Sequence, residues 1–205
     1  MLRIYTSAMP SPPPLEPNCF YHVFNRGING EDLFREERNY EHFLRLYAHH
    51  IEPVAQTFAY CLMRNHFHIA IRVSEIAPTA VEPGSRKLPP ASQGFANFFN
   101  AYSKAINNAY GRTGGLFENP YRRILIHSDA YFTRLIAYIH RNPQKHGFVE
   151  DFRDWKWSSY QAMLTKSHTK VQREQVLTWF HGREGYIETH RDLQLLPALT
   201  EQDFF

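Results

Sequence analysis

One run constrains this chain more than any other: Cys61-Leu62-Met63-Arg64-Asn65-His66-Phe67-His68-Ile69-Ala70-Ile71-Arg72-Val73. Its second half alternates. An extended backbone sends Phe67, Ile69, Ile71 and Val73 to one side and His66, His68, Ala70 and Arg72 to the other. Two imidazoles at i and i+2 on a strand point the same way, and a pair held like that can grip one metal ion. Two half-exposed histidines would leave the same pattern. With 12 His in 205 residues, random placement supplies roughly 0.7 His-x-His triplets. The strand context is therefore what favours a metal pair.

Around that run the periodicities order the chain. Residues 20–26 read as a strand, ended by Gly27 and Gly30. Tyr40, Phe43, Leu44, Tyr47 and Ile51 recur at helical spacing over 38–51, and Pro53 closes that helix. Residues 54–63 and 66–73 are two more strands joined by Arg64-Asn65. Residues 74–93, with four prolines, read as a linker or long loop. A helix follows, with Phe95, Phe98, Phe99, Tyr102, Ile106 and Tyr110 in one stripe, stopped by Gly111 to Gly115. Residues 123–127 form a fourth strand. Ser128 or Asp129 caps a helix over about 130–142, which Pro143 and Gly147 terminate.

The order strand, helix, strand, strand, helix, strand, helix predicts an α+β fold. It is a ferredoxin-like split βαβ arrangement with a central, mainly antiparallel sheet and an added C-terminal helix. The expected organisation is a proline-rich arm over 1–18, a domain over 19–160 interrupted by the 74–93 loop, and an extension over 161–205 packed back on it, the tail from 148 onwards being rich in aromatics. Two cysteines, Cys19 and Cys61, exclude a disulfide framework and fit a reducing compartment. No stretch of about 18 apolar residues is present to span a membrane. The N-terminus lacks the apolar core of a secretory signal, so a cytoplasmic protein is expected. A net charge of +3 allows an anionic partner without requiring one.

The helix over 130–142 offers further polar groups. Tyr138 and Asn142 are i and i+4 and share a face. Tyr138 also continues the stripe of Tyr131 and Leu135, so by spacing alone ordinary packing is the stronger explanation. Asn142 precedes a proline, which by itself suits a helix C-terminus. Five segments then combine in order: Tyr21-His22-Val23-Phe24-Asn25-Arg26-Gly27; Met63-Arg64-Asn65-His66-Phe67-His68; Gly114-Gly115-Leu116-Phe117-Glu118-Asn119-Pro120-Tyr121-Arg122-Arg123; Ala137-Tyr138-Ile139-His140-Arg141-Asn142-Pro143; and Trp155-Lys156-Trp157-Ser158-Ser159-Tyr160. Together they resemble the single-tyrosine transposases of the HUH nuclease superfamily, in particular their REP-associated branch. The resemblance covers about residues 20–160.

That resemblance implies a metal-dependent single-stranded DNA endonuclease and strand transferase acting on hairpin DNA. His66 and His68 would bind a divalent cation, Mg2+ or Mn2+, and Asn142 would complete that site. Tyr138 would be the nucleophile, leaving a covalent 5′-phosphotyrosine and a 3′-hydroxyl. Lys145 and His146 lie nearby in sequence, with no activator of Tyr138 assigned. Candidate phosphate contacts are Arg64, Arg72, Lys104, Arg112, Arg122 and Arg123, each of which ordinary surface charge also explains. Trp155, Trp157 and Tyr160 would either stack on bases or pack internally. The resemblance allows a monomer or a homodimer. The alternative is a domesticated hairpin-binding protein that does not cut. A cupin-type barrel also uses His-x-His, but the two long helical stripes contradict it.

Overall fold

In a computed structural model of the protein, the residues described are 14–75 and 90–192. The arm over 1–13, residues 76–89 of the expected linker and residues 193–205 of the tail lie outside them. Four strands build one sheet: β1 (Phe20–Arg26), β2 (Ala55–Met63), β3 (His66–Val73) and β4 (Arg122–Leu125). Their order is β2-β3-β1-β4, and every neighbouring pair is antiparallel. Helix α1 (Glu37–His50) joins β1 to β2, and α2 (Pro90–Tyr110) stands between β3 and β4. This is the expected α+β fold with its split βαβ core. After the sheet come α3 (Asp129–Lys145), α4 (Tyr160–Leu164), α5 (Arg173–Trp179) and α6 (Arg183–Arg191).

The alternation of the strands decides which helices cover which face. Tyr21 and Val23 of β1 and Phe67, Ile69, Ile71 and Val73 of β3 pack with Phe43 and Tyr47 of α1 and Phe95, Phe98 and Tyr102 of α2. The opposite face carries Phe24, Phe58, Cys61, Met63 and Ala70. It packs with Phe132, Leu135, Ile136, Tyr138 and Ile139 of α3 and with Val176, Phe180 and Tyr186 of the tail. Burying a large apolar side chain of α3 contributes about 1.5–3 kcal/mol. The histidine side of β3 thus lies beneath α3.

Three boundaries differ from expectation. Residues 90–93 are the first turn of α2, because proline suits the first helical position, where its missing N–H goes unneeded. The fourth strand spans Arg122–Leu125, shorter and earlier than 123–127. Helix α3 runs through Pro143 to Lys145. Its true terminator is Gly147, in the left-handed conformation at φ 71°. There Gly147 N donates to Gln144 O at 3.1 Å and Phe148 N to Pro143 O at 2.9 Å, the paired pattern of a Schellman cap. At the other end Ser128 is the cap: its Oγ accepts from Tyr131 N at 3.2 Å, while Asp129 sits in the first turn.

The tail after α3 closes over the outer edge of the sheet. Cys61 bridges to Ser158 and Thr57 to Val171, and Trp155 Nε1 donates to Leu62 O at 3.0 Å. Trp157 stacks on Tyr40 with centroids 4.5 Å apart, and Tyr160 is buried, so these rings pack internally. A buried polar chain ties α6 to α3. His190 Nδ1 donates to Tyr186 O at 2.7 Å, which leaves His190 Nε2 to accept from His140 Nδ1 at 2.9 Å. His140 Nε2 then accepts from Ser159 Oγ at 2.8 Å. Among the described residues no helix is long and apolar enough to cross a membrane.

Candidate active site

The two histidines of β3 stand in the middle of the sheet. His66 pairs across with Arg26 and Met63, and His68 with Phe24 and Cys61. Their ring centroids are 5.4 Å apart at 90°. His68 is fully buried and His66 is 7% exposed. Burial pushes the His66 ring down to about 3, with His146 and Arg26 acting in the same sense. Burial likewise holds His68 well below the ordinary imidazole value. Both rings are therefore neutral at physiological pH, the state in which an imidazole nitrogen can donate a lone pair.

Helix α3, packed over this face, carries Tyr138 and Asn142. The Tyr138 ring meets His68 edge-on, with centroids 5.6 Å apart at 84°, and Tyr138 is 8% exposed. One turn later Asn142 is buried. Its Nδ2 donates to Tyr138 O at 2.8 Å, whereas its Oδ1 is buried and accepts no hydrogen bond. A buried carbonyl oxygen in that condition is costly unless something else binds it. Among the described residues no three His, Cys, Asp or Glu side chains gather to hold a metal by themselves. A cation here would combine two neutral imidazoles with a carboxamide and draw its further ligands from phosphate or water. Such a donor set is chemically able to hold a divalent cation bound together with an anionic substrate.

The end of α3 adds a lysine and a histidine. Lys145 Nζ lies 5.0 Å from the Tyr138 ring centroid, and the His146 ring packs on His66 with centroids 4.9 Å apart. Lys145 is the last residue of α3, two turns after Tyr138 on the same face, and His146 is the residue at which the helix ends. Sequence spacing does not reveal the His66 contact, because it depends on how the helix ends.

The candidate phosphate contacts scatter. Arg122 pairs with Phe24, which pairs with His68, so Arg122 shares the histidine face about two strand spacings, ~10 Å, away. Arg123 pairs with Val23 on the other face and lies over the Tyr121 ring at 4.9 Å. Arg64 sits in the turn before His66 and pairs with Asp32 at 3.0 Å. Arg72 lies at the far end of β3, bonded to Asn18 at 3.1 Å. Lys104 is exposed on α2, against the opposite face, and Arg112 is paired with Glu31. Of the six, Arg122 and Arg64 are near the histidines.

No protein-family model matches the chain. A Haemophilus influenzae protein that carries the name of a REP-associated tyrosine transposase is 27% identical over 113 residues, 51% of this chain and 58% of that protein. The match therefore spans little more than half of that relative's length. A solved structure of a REP-associated tyrosine transposase bound to a REP hairpin superimposes with a TM-score of 0.61. It covers 78% of this chain and 87% of the other at 13% identity. This chain resembles the REP-associated tyrosine transposases in sequence and in fold. At that identity the structural likeness concerns the fold, and the chemistry rests on the residues described above.

Proposed function

We propose that the protein is a single-tyrosine DNA nuclease and strand transferase that recognises hairpin DNA of the REP type and cuts its single-stranded part. The observation that carries this reading is the edge-on contact of Tyr138 with His68, 5.6 Å between centroids, beside the neutral His66. The hairpin in the similar solved structure supports the choice of substrate.

In the reaction, Tyr138 Oη forms a bond to a backbone phosphorus as the P–O3′ bond breaks. The departing O3′ takes up a proton, the phenol loses one, and the products are a 5′-phosphotyrosine and a 3′-hydroxyl. The number of phosphodiester bonds is conserved, so reversal rejoins DNA without another energy source. Mg2+ or Mn2+ held by His66, His68 and Asn142 supplies charge neutralisation at the phosphate when bound. A free phenol titrates near 10, and the Lys145 ammonium over the ring favours the negative charge that builds on its oxygen. Asn142, through its bond to the Tyr138 carbonyl, fixes the last turn of α3 while presenting Oδ1. Arg122 and Arg64 hold the flanking backbone.

Incubation of the protein with labelled REP-type hairpin carrying single-stranded flanks, with and without Mn2+, tests this. The expected result is a denaturation-resistant protein–DNA adduct that needs Mn2+ and disappears in Tyr138→Phe. A gel shift with no adduct under any divalent cation would overturn it in favour of a hairpin-binding protein.

A further inference from the structure

His22 lies on β1, fully buried, on the same face as His68. The register pairs His22 with Ala70 and Phe24 with His68, so the two histidines are diagonal neighbours across β1 and β3, within reach of long side chains. The reach is made: His22 Nε2 and His68 Nδ1 are 2.9 Å apart, and the rings stack at 23° with centroids 5.0 Å apart. Phe24 stacks on both, at 4.6 Å from His22 and 5.5 Å from His68. That ring sandwich allows little rotation.

A hydrogen bond between two neutral imidazoles holds one proton, on one of the two facing nitrogens. The partner geometry of His66 shows which arrangement suits the site. His66 Nδ1 lies 2.7 Å from Asn65 Oδ1, an acceptor, so the His66 proton is on Nδ1 and its Nε2 carries the lone pair. For His68 to present Nε2 in the same way, its proton must also be on Nδ1 and must be donated to His22 Nε2. His22 must then carry its own proton on Nδ1.

We propose that His22 is a positioning residue for the cation site: it accepts the Nδ1 proton of His68, fixes that tautomer and holds the ring with Nε2 towards the cation, as Asn65 does for His66. The inference rests on the metal reading given above and assigns a role to a residue outside the His66, His68 and Asn142 set. Outer partners of metal-binding histidines typically change metal affinity roughly 10–100-fold when removed.

The test measures Mn2+ binding to the full-length protein by electron paramagnetic resonance of the unbound ion, with a folding control by circular dichroism. The expected result is wild-type binding that His66→Ala abolishes, roughly 10–100-fold weaker binding in His22→Phe, and recovery to within about threefold in His22→Gln, whose amide oxygen restores an acceptor. Unchanged affinity in a folded His22→Phe overturns the proposal alone. Absence of His66-dependent binding in the wild type overturns the metal reading and the proposal together. Nitrogen-15 shifts of the wild-type protein with Mg2+ stand independently of how the variants fold. A protonated Nδ1 on His68 is expected, and a protonated Nε2 overturns the proposal.

Discussion

At the scale of single residues, the account turns on neutral imidazoles beneath a phenol. His66→Ala removes one nitrogen donor while leaving the apolar face of β3 intact. It is expected to lower Mn2+-dependent adduct formation by about 100-fold or more, the loss of a metal contact worth several kcal/mol in the transition state. Single-turnover cleavage of a labelled hairpin reads it. Lys145→Met tests the cation over the Tyr138 ring and is expected to slow the same step roughly 3- to 10-fold. The shared face of His66 and His68 is legible in the sequence because a strand's period of two is exact, and that of Tyr138 and Asn142 because they are i, i+4, whereas their roles are only what the resemblance implies. His22 is not, since its meeting with His68 depends on cross-strand register. Nor is the packing of His146 on His66, which depends on the geometry of a helix end.

At the scale of elements, α3 carries Tyr138, Asn142 and Lys145 on its body, and its C-terminal cap sets where His146 stands. Gly147 adopts φ 71° in that cap, with open space where a Cβ would go, so the penalty of a side chain there is conformational. Gly147→Ala is expected to destabilise the protein by about 1–2 kcal/mol, read from the urea midpoint. It should also weaken adduct formation beyond what stability explains, because the cap aims His146 at His66. The strands, α1 and most of α2 follow from periodicity alone. The end of α3 does not, because a proline inside the last turn reads as a stop signal, whereas the actual stop is a pair of hydrogen bonds made four residues later. The start of α2 is misread for the related reason that proline both breaks and begins helices.

At the scale of the whole molecule, both faces of the sheet are covered, and the second cover brings buried histidines with it. Burial pushes His22, His66 and His190 down to about 3 and holds His68 and His140 well below their ordinary value of 6.5. The unfolded chain therefore binds more protons than the folded one below about pH 6.5. The stability these neutral rings contribute is present above that pH and is lost as pH falls towards 3, at up to about 1.4 kcal/mol per pH unit for each ring. Urea midpoints should fall steeply between pH 7 and pH 4.5, and a flat profile would contradict the neutral, buried rings. The tail's docking is foreshadowed by its aromatic content, while its closure over β2 through Ser158, Ser159 and Val171 belongs to tertiary structure. Everything in the functional account converges on one bond, between Tyr138 Oη and a DNA phosphorus. Mass spectrometry of the tryptic peptide Leu135–Arg141 after reaction with REP-type hairpin DNA and Mn2+ measures it directly. The account predicts a nucleotide adduct on Tyr138, and a DNA adduct on any other residue, or none on this peptide while the DNA is cut, would contradict it.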